Sequence, residues 1–204
     1  MLQVIGSVWA LLLGVMLIMM GLSIQTTLIG VRGAIESFAS YELSIAIAAF
    51  FCGYLWGTRI APRLIQRVGY VRVFAALGSL VSAGLIAFEL FVNPFAWILI
   101  RFCIGFCMSG VFVTAESWLN NVAVNTTRGQ LLSAYMIAQT MGVALAQWVL
   151  TLGDAAQATL FITTSILVSL SFTPILLSAT PMPSAAIIQP MGLFKLHKNP
   201  PLAR

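Results

Sequence analysis

Long apolar stretches alternate along this chain with short segments that hold nearly all of its charge. Residues 1–31 contain no charged side chain and so no basic n-region. The stretch is longer than a signal-peptide core of about 7–15 residues, so it predicts an uncleaved first helix over about 5–29. The next apolar run predicts helix 2 over 41–60, with Pro62 blocking its continuation. Helix 3 is expected over 71–91. Asn93-Pro94 then supplies a capping residue followed by proline at the first helical position, which opens helix 4 over 94–118. Helix 5 lies in the uncharged stretch 129–153, and helix 6 is expected over 156–177. Each run approaches the roughly 20 residues that cross a hydrocarbon core. The expected class is therefore an all-α membrane protein with six transmembrane helices. The expected organisation is a half-domain over 1–180 and a cytoplasmic tail over 181–204.

Composition agrees with this pattern. Only 7% of the 204 residues are charged and 60% are hydrophobic; soluble domains carry about 25% charged residues. Mean hydropathy is +1.02. The net charge of +5 comes from scattered bases, with no basic face for nucleic acid. The expected surroundings are the lipid bilayer and a small-molecule solute. Arg59, Arg63, Arg67, Arg72, Arg128, Lys195, Lys198 and Arg204 fall on one side of the predicted helices, while Arg32 alone among the bases flanks the other. The positive-inside rule makes the first side cytoplasmic, with both termini inside and the plasma (inner) membrane as location.

Charge spacing in helix 4 carries the sharpest inference. Only 14 residues separate Arg101 from Glu116. At about 1.5 Å each they cover about 21 Å, short of a core of about 30 Å. A spanning helix 4 therefore takes at least one of these charges into the bilayer, and Arg101 lies about 10 Å from Pro94. An intramembrane arginine costs about 2.5 kcal/mol or more and faces a cavity or partner. Arg101 reads as a substrate-anion or proton-coupling site, with Glu89 as a candidate partner; the bland reading is an arginine snorkelling to the interface.

Neutral polar residues extend the candidate site. Gln25, in GLSIQTT, lies near the outer end of helix 1, and Tyr135 and Gln139 continue through Gly142 and Ala146 as a stripe on helix 5. These groups suit hydrogen bonding to a solute, and equally suit bonding and close packing between helices. Gly53 and Gly57 form a GxxxG pattern on helix 2, which reads as a packing groove. Cys52, Cys103 and Cys107 lie in apolar stretches without His or carboxylate at ligand spacing, so no metal or other cofactor is expected. Intramembrane serine-protease chemistry needs a histidine near a serine, and the one histidine, His197, lies in the tail. An enzyme is not expected. The alternative to a transporter is a small non-catalytic membrane protein, such as a channel subunit or assembly factor.

The segment RFCIGFCMSGVFVTAESWLNNVAVNTTRGQLLSAY, with Arg101 and Gly105, then Glu116, then Arg128-Gly129, resembles helices 4 and 5 of the major facilitator superfamily. GYLWGTRIAPRLIQRVGYVRV resembles that family's first cytoplasmic signature, though without its usual acid. The resemblance implies one half of a twelve-helix secondary transporter, built from two inverted three-helix repeats. It implies alternating access, with helices 1 and 4 lining the cavity and Arg101 linked to proton coupling. It places a packing glycine at Gly105, and a cytoplasmic gate at Arg63, Arg67, Glu116 and Arg128, with Glu116 paired to Arg63 or Arg67. It also implies a partner, either a second six-helix half or another copy of the chain. The basic tail resembles the loop before a seventh helix.

Overall fold

The structure, a computed structural model, describes residues 2–153 and 157–177; of residues 2–5 and 7 it describes the backbone alone. The tail over 181–204 lies outside the described residues. The helices are α1 (Leu2–Ile35), α2 (Ser40–Val68), α3 (Tyr70–Leu90), α4 (Pro94–Val122), α5 (Arg128–Leu150), α6 (Thr159–Ser171) and the short α7 (Thr173–Leu177). Five spans are long and apolar enough to cross a membrane: Val8–Ile35, Ser40–Val68, Tyr70–Leu90, Pro94–Val122 and Thr159–Leu177. The α5 helix, at 23 residues, is long enough but more polar, with Gln130, Ser133, Gln139, Thr140 and Gln147 along it. The α6 and α7 helices form one span interrupted at Phe172. Pro174 has no N–H for the carbonyl four residues back, so the regular ladder breaks there.

Pro62 does not end the second helix, contrary to expectation. The α2 helix runs through it to Val68. Ala61 and Ile65 are buried on its inner side, while Arg59, Arg63 and Arg67 stand exposed on the other. Packing of that inner face holds the helix together across the missing hydrogen bond. The arginine-rich segment is therefore helix rather than loop. The turn is reduced to Gly69, whose φ of 86° suits glycine.

At the opposite end, α1 turns into α2 through Glu36–Ala39. Glu42 accepts from the Ala39 backbone N–H at 2.8 Å as half of a capping box. Asn93 behaves as its sequence position predicts: its Oδ1 accepts from the N–H of Phe95 at 2.9 Å and of Ala96 at 3.4 Å. Asn93→Ala is expected to lower stability by about 1 kcal/mol, seen as a small fall in the unfolding temperature of the purified protein. No change would show that the cap is dispensable when Pro94 starts the helix.

Two kinds of contact fix the bundle. The α2 and α4 helices cross at glycine. A Cβ built on Gly53 would overlap the carbonyl of Phe102, one on Gly57 the hydroxyl of Ser109, and one on Gly105 the carbonyl of Phe50. The α1 helix meets α5 in the same manner, with Gly142 against the carbonyl of Met16. Between α3 and α6 the contact is polar. Ser82 Oγ lies 2.7 Å from Ser165 Oγ and 2.7 Å from Ser169 Oγ, and Ser165 donates to the Ser82 carbonyl at 3.0 Å. Such bonds average about 0.6 kcal/mol each in a membrane bundle. At the α1–α2 turn end, Trp97 packs on Phe88 and Phe38 with ring centroids 5.4 and 4.9 Å away, and donates its indole N–H to the Phe88 carbonyl at 3.2 Å.

Candidate functional site

The α4 helix carries Arg101 two turns from its capped start. The side chain is 3% exposed. It lines a cavity of about 200 Å³ between α1, α2 and α4, together with Leu22, Thr26, Ile29 and Gly30 of α1 and Leu43, Ile47, Phe50 and Phe51 of α2. Its guanidinium carbon stands 4.9 Å from the Phe50 ring centroid, a cation–π contact. Its Nε and Nη1 have no hydrogen-bond partner. The local reason for this placement is steric. Gly105, one turn on, admits the Phe50 carbonyl, so α2 and α4 meet closely just where Phe50 covers the guanidinium.

Gln25 lies in α1 between Leu22 and Ile29, which line the cavity, but is not itself part of the lining. It is 1% exposed, and neither amide atom has a partner. Tyr135 and Gln139 are not part of this cavity's lining. Tyr135 is buried on α5 and donates to Glu116 Oε1 at 3.3 Å, while Gln139 is half-buried. Of the small end of the same stripe, Gly142 packs against α1 and Ala146 is buried.

The acids take partners that the chain order did not foretell. Glu89 does not reach Arg101. It pairs with Arg32 at 3.5 Å, and Glu36 pairs with the same guanidinium at 3.0 Å, because α1 and α3 finish at the same end of the bundle. Glu116 forms no ion pair with Arg63 or Arg67; among the described residues the ion pairs are those of Arg32. Continuation of α2 past Pro62 leaves both arginines on its exposed face, and Arg128 is exposed at the start of α5. The turn end of α2, the start of α3 and the end of α4 still share one end of the molecule. There Pro62, Ile65, Gln66, Tyr70, Ser117, Asn120 and Asn121 line a notch of about 270 Å³.

Sequence reasoning missed the contribution of α2 to the cavity. Phe50 and Ile47 look like ordinary lipid-facing positions in an apolar helix, and no local signal marks them. Thr26 stood next to Gln25 in the same motif and was legible in principle.

Apolar helices long enough to cross a bilayer, with a buried arginine between them, define a multi-pass membrane protein. No protein-family model matches the chain. It is similar to an uncharacterized MFS-type transporter of Enterobacter sp. (strain 638), 29% identical over 137 residues, which is 67% of this chain and 36% of the relative. It is also similar to the uncharacterized MFS-type transporter YcaD of Salmonella enteritidis PT4, 29% identical over 140 residues (69% of this chain, 37% of the relative). YcaD of Escherichia coli O45:K1 is 28% identical over the same shares. Over about two thirds of its length the chain is thus similar to bacterial proteins named as MFS-type transporters, and the aligned part spans little more than a third of the length of these relatives.

Proposed function

We propose that the chain forms one six-helix half of a secondary active transporter, which moves a small solute across the inner membrane by alternating access. Arg101 and Gln25 belong to its solute path, and proton coupling is the energy source that the family resemblance implies. The observation that carries the reading is the pattern of helix pairs. The α1 helix packs on α5 and α6, α4 packs on α2 and α3, and α3 packs on α6. Exchanging α1 with α4, α2 with α5 and α3 with α6 maps this pattern onto itself. The correspondence extends to atoms. A Cβ on Gly53 meets the carbonyl of Phe102 and the N of Phe106; one on Gly142 meets the carbonyl of Met16 and the N of Met20. The two serines that exchange bonds, Ser82 and Ser165, lie on α3 and α6, which the operation interchanges. This supports two inverted three-helix repeats, with α5 as the sixth span despite its polarity.

The same exchange relates the two least covered helices. Tyr41, Ile45, Leu55 and Trp56 of α2 are exposed, as are Met136, Ile137, Met141 and Trp148 of α5. In our reading these faces meet a second six-helix half, either from a longer gene product or from another copy. The end carrying Arg63, Arg67, Arg128 and Glu116 is cytoplasmic, and a gate closes there in one state of the cycle, with Tyr135 as a further partner for Glu116.

Cysteine labelling of the complete gene product in membranes tests this. With the native cysteines replaced, Asn93→Cys should react only with reagent added outside and Asn125→Cys only with reagent inside. Thr26→Cys, beside Arg101, should react from either side, and closing one access should raise the other. Labelling of Thr26→Cys from a single side under all conditions would rule out alternating access. Matching sides for Asn93→Cys and Asn125→Cys would rule out the orientation.

A further inference from the structure

Arg101 is a buried cation without a counter-charge. Two of its guanidinium nitrogens are shielded from solvent and lack an acceptor. Buried polar groups almost always find a partner, and buried charges need one most. The chain has five acids. Glu36 and Glu89 are engaged with Arg32, Glu42 with the Ala39 N–H, and Glu116 with Tyr135; Asp154 lies outside the described residues, and none of them supplies Arg101 with an acceptor. The aromatic face of Phe50 offsets part of the cost through its quadrupole but accepts no hydrogen bond along the guanidinium plane.

We infer that the cavity takes a compact organic monoanion, with a carboxylate on the Arg101 guanidinium and an apolar body against α1 and α2. Each part follows from the lining. The charge is single because one fixed cation faces the cavity; a dianion would bring an unbalanced charge into a low-dielectric site. The body is apolar because the remaining walls are, apart from Thr26. The Thr26 hydroxyl already donates to the Leu22 carbonyl at 2.8 Å, so it offers a ligand only an acceptor. Thr26 therefore cannot hold a carboxylate, which leaves that to Arg101. The groove between the three helices holds about 200 Å³, comparable to about seven waters at about 30 Å³ each, which is room for a carboxylate and a short apolar body. A planar carboxylate matches the guanidinium fork, which lysine does not offer.

The inference rests on the transporter reading for the ligand's fate, and on the cavity alone for its binding. Thermal unfolding of the complete gene product in detergent tests the binding. Benzoate and hexanoate are the monoanionic probes; benzamide, benzylamine and succinate are the neutral, cationic and dianionic controls. Benzoate and hexanoate should raise the unfolding temperature saturably, with affinity at least about tenfold above each control. Arg101→Gln should abolish that preference. Should Arg101→Gln fail to fold, Arg101→Lys is read instead, with benzoate affinity down about tenfold and that of benzamide unchanged. The inference is overturned by equal effects of benzoate and benzamide, by a preference that survives in Arg101→Gln, by unaltered benzoate affinity in Arg101→Lys, or by no stabilisation from either monoanion. Failure here with Thr26→Cys labelled from both sides leaves the transporter reading standing with another solute. Carboxylate binding with one-sided labelling instead leaves the site and removes the transporter.

Discussion

Gly53→Ala is expected to destabilise the bundle by about 3 kcal/mol, near the upper end of overpacking effects. The added methyl would overlap the Phe102 carbonyl and press on the Phe106 nitrogen. These are backbone atoms of a helix, so no side-chain rotation relieves the contact and α2 must move away from α4. Gly105→Ala meets the Phe50 carbonyl from the opposite side of the same crossing and should behave alike. One separation of the two helices relieves both overlaps, so the double variant should cost clearly less than the sum of the singles. Gly129→Ala is the control: nothing lies within 4 Å of its added Cβ, and a change within about 0.5 kcal/mol is expected. Unfolding temperatures in one detergent decide the matter. A Gly53→Ala protein as stable as wild type would mean that α2 and α4 do not cross as described.

Arg101→Ala should separate function from folding. Removing an arginine from a spanning helix eases insertion by up to about 3 kcal/mol on translocon scales, so the amount of protein in the membrane should be unchanged or higher. Binding should fall by about 100-fold. Charge-assisted hydrogen bonds contribute about 1.5–3 kcal/mol each, and about 2.8 kcal/mol is a factor of 100. Uptake of whichever probe stabilises the wild-type protein should be lost with it. An arginine kept for structure gives the opposite pair of results: poor accumulation, and normal uptake by the protein that remains. Quantifying membrane-inserted protein and uptake in the same vesicles distinguishes the two.

Much of the helical layout was legible because its causes are local. Charge-free stretches mark spans because a bilayer excludes charge wherever it falls in the chain. The Asn93 cap reads directly from two adjacent residues, and its hydrogen bonds follow from them. Pro62 misled for an equally physical reason. Proline removes one hydrogen bond, but burial of Ala61 and Ile65 on either side holds α2 together. The α5 helix was legible from its lack of charge, although its polar face keeps its mean hydropathy low. Hydropathy counts every residue, whereas Leu131, Tyr135, Gly142 and Ala146 are the ones turned inward.

The sequence by itself determined that a spanning helix 4 takes Arg101 or Glu116 into the bilayer, since 14 residues cannot hold both at opposite interfaces. It also determined which glycines are small enough for helices to meet. Tertiary structure decided which helices meet there, that Phe50 covers Arg101, that Glu89 belongs to Arg32, and that Glu116 turns to Tyr135. Those pairings depend on how helices distant in sequence cross. A periodicity of 3.6 residues shows which face of a helix is inward and is silent about the neighbour it faces.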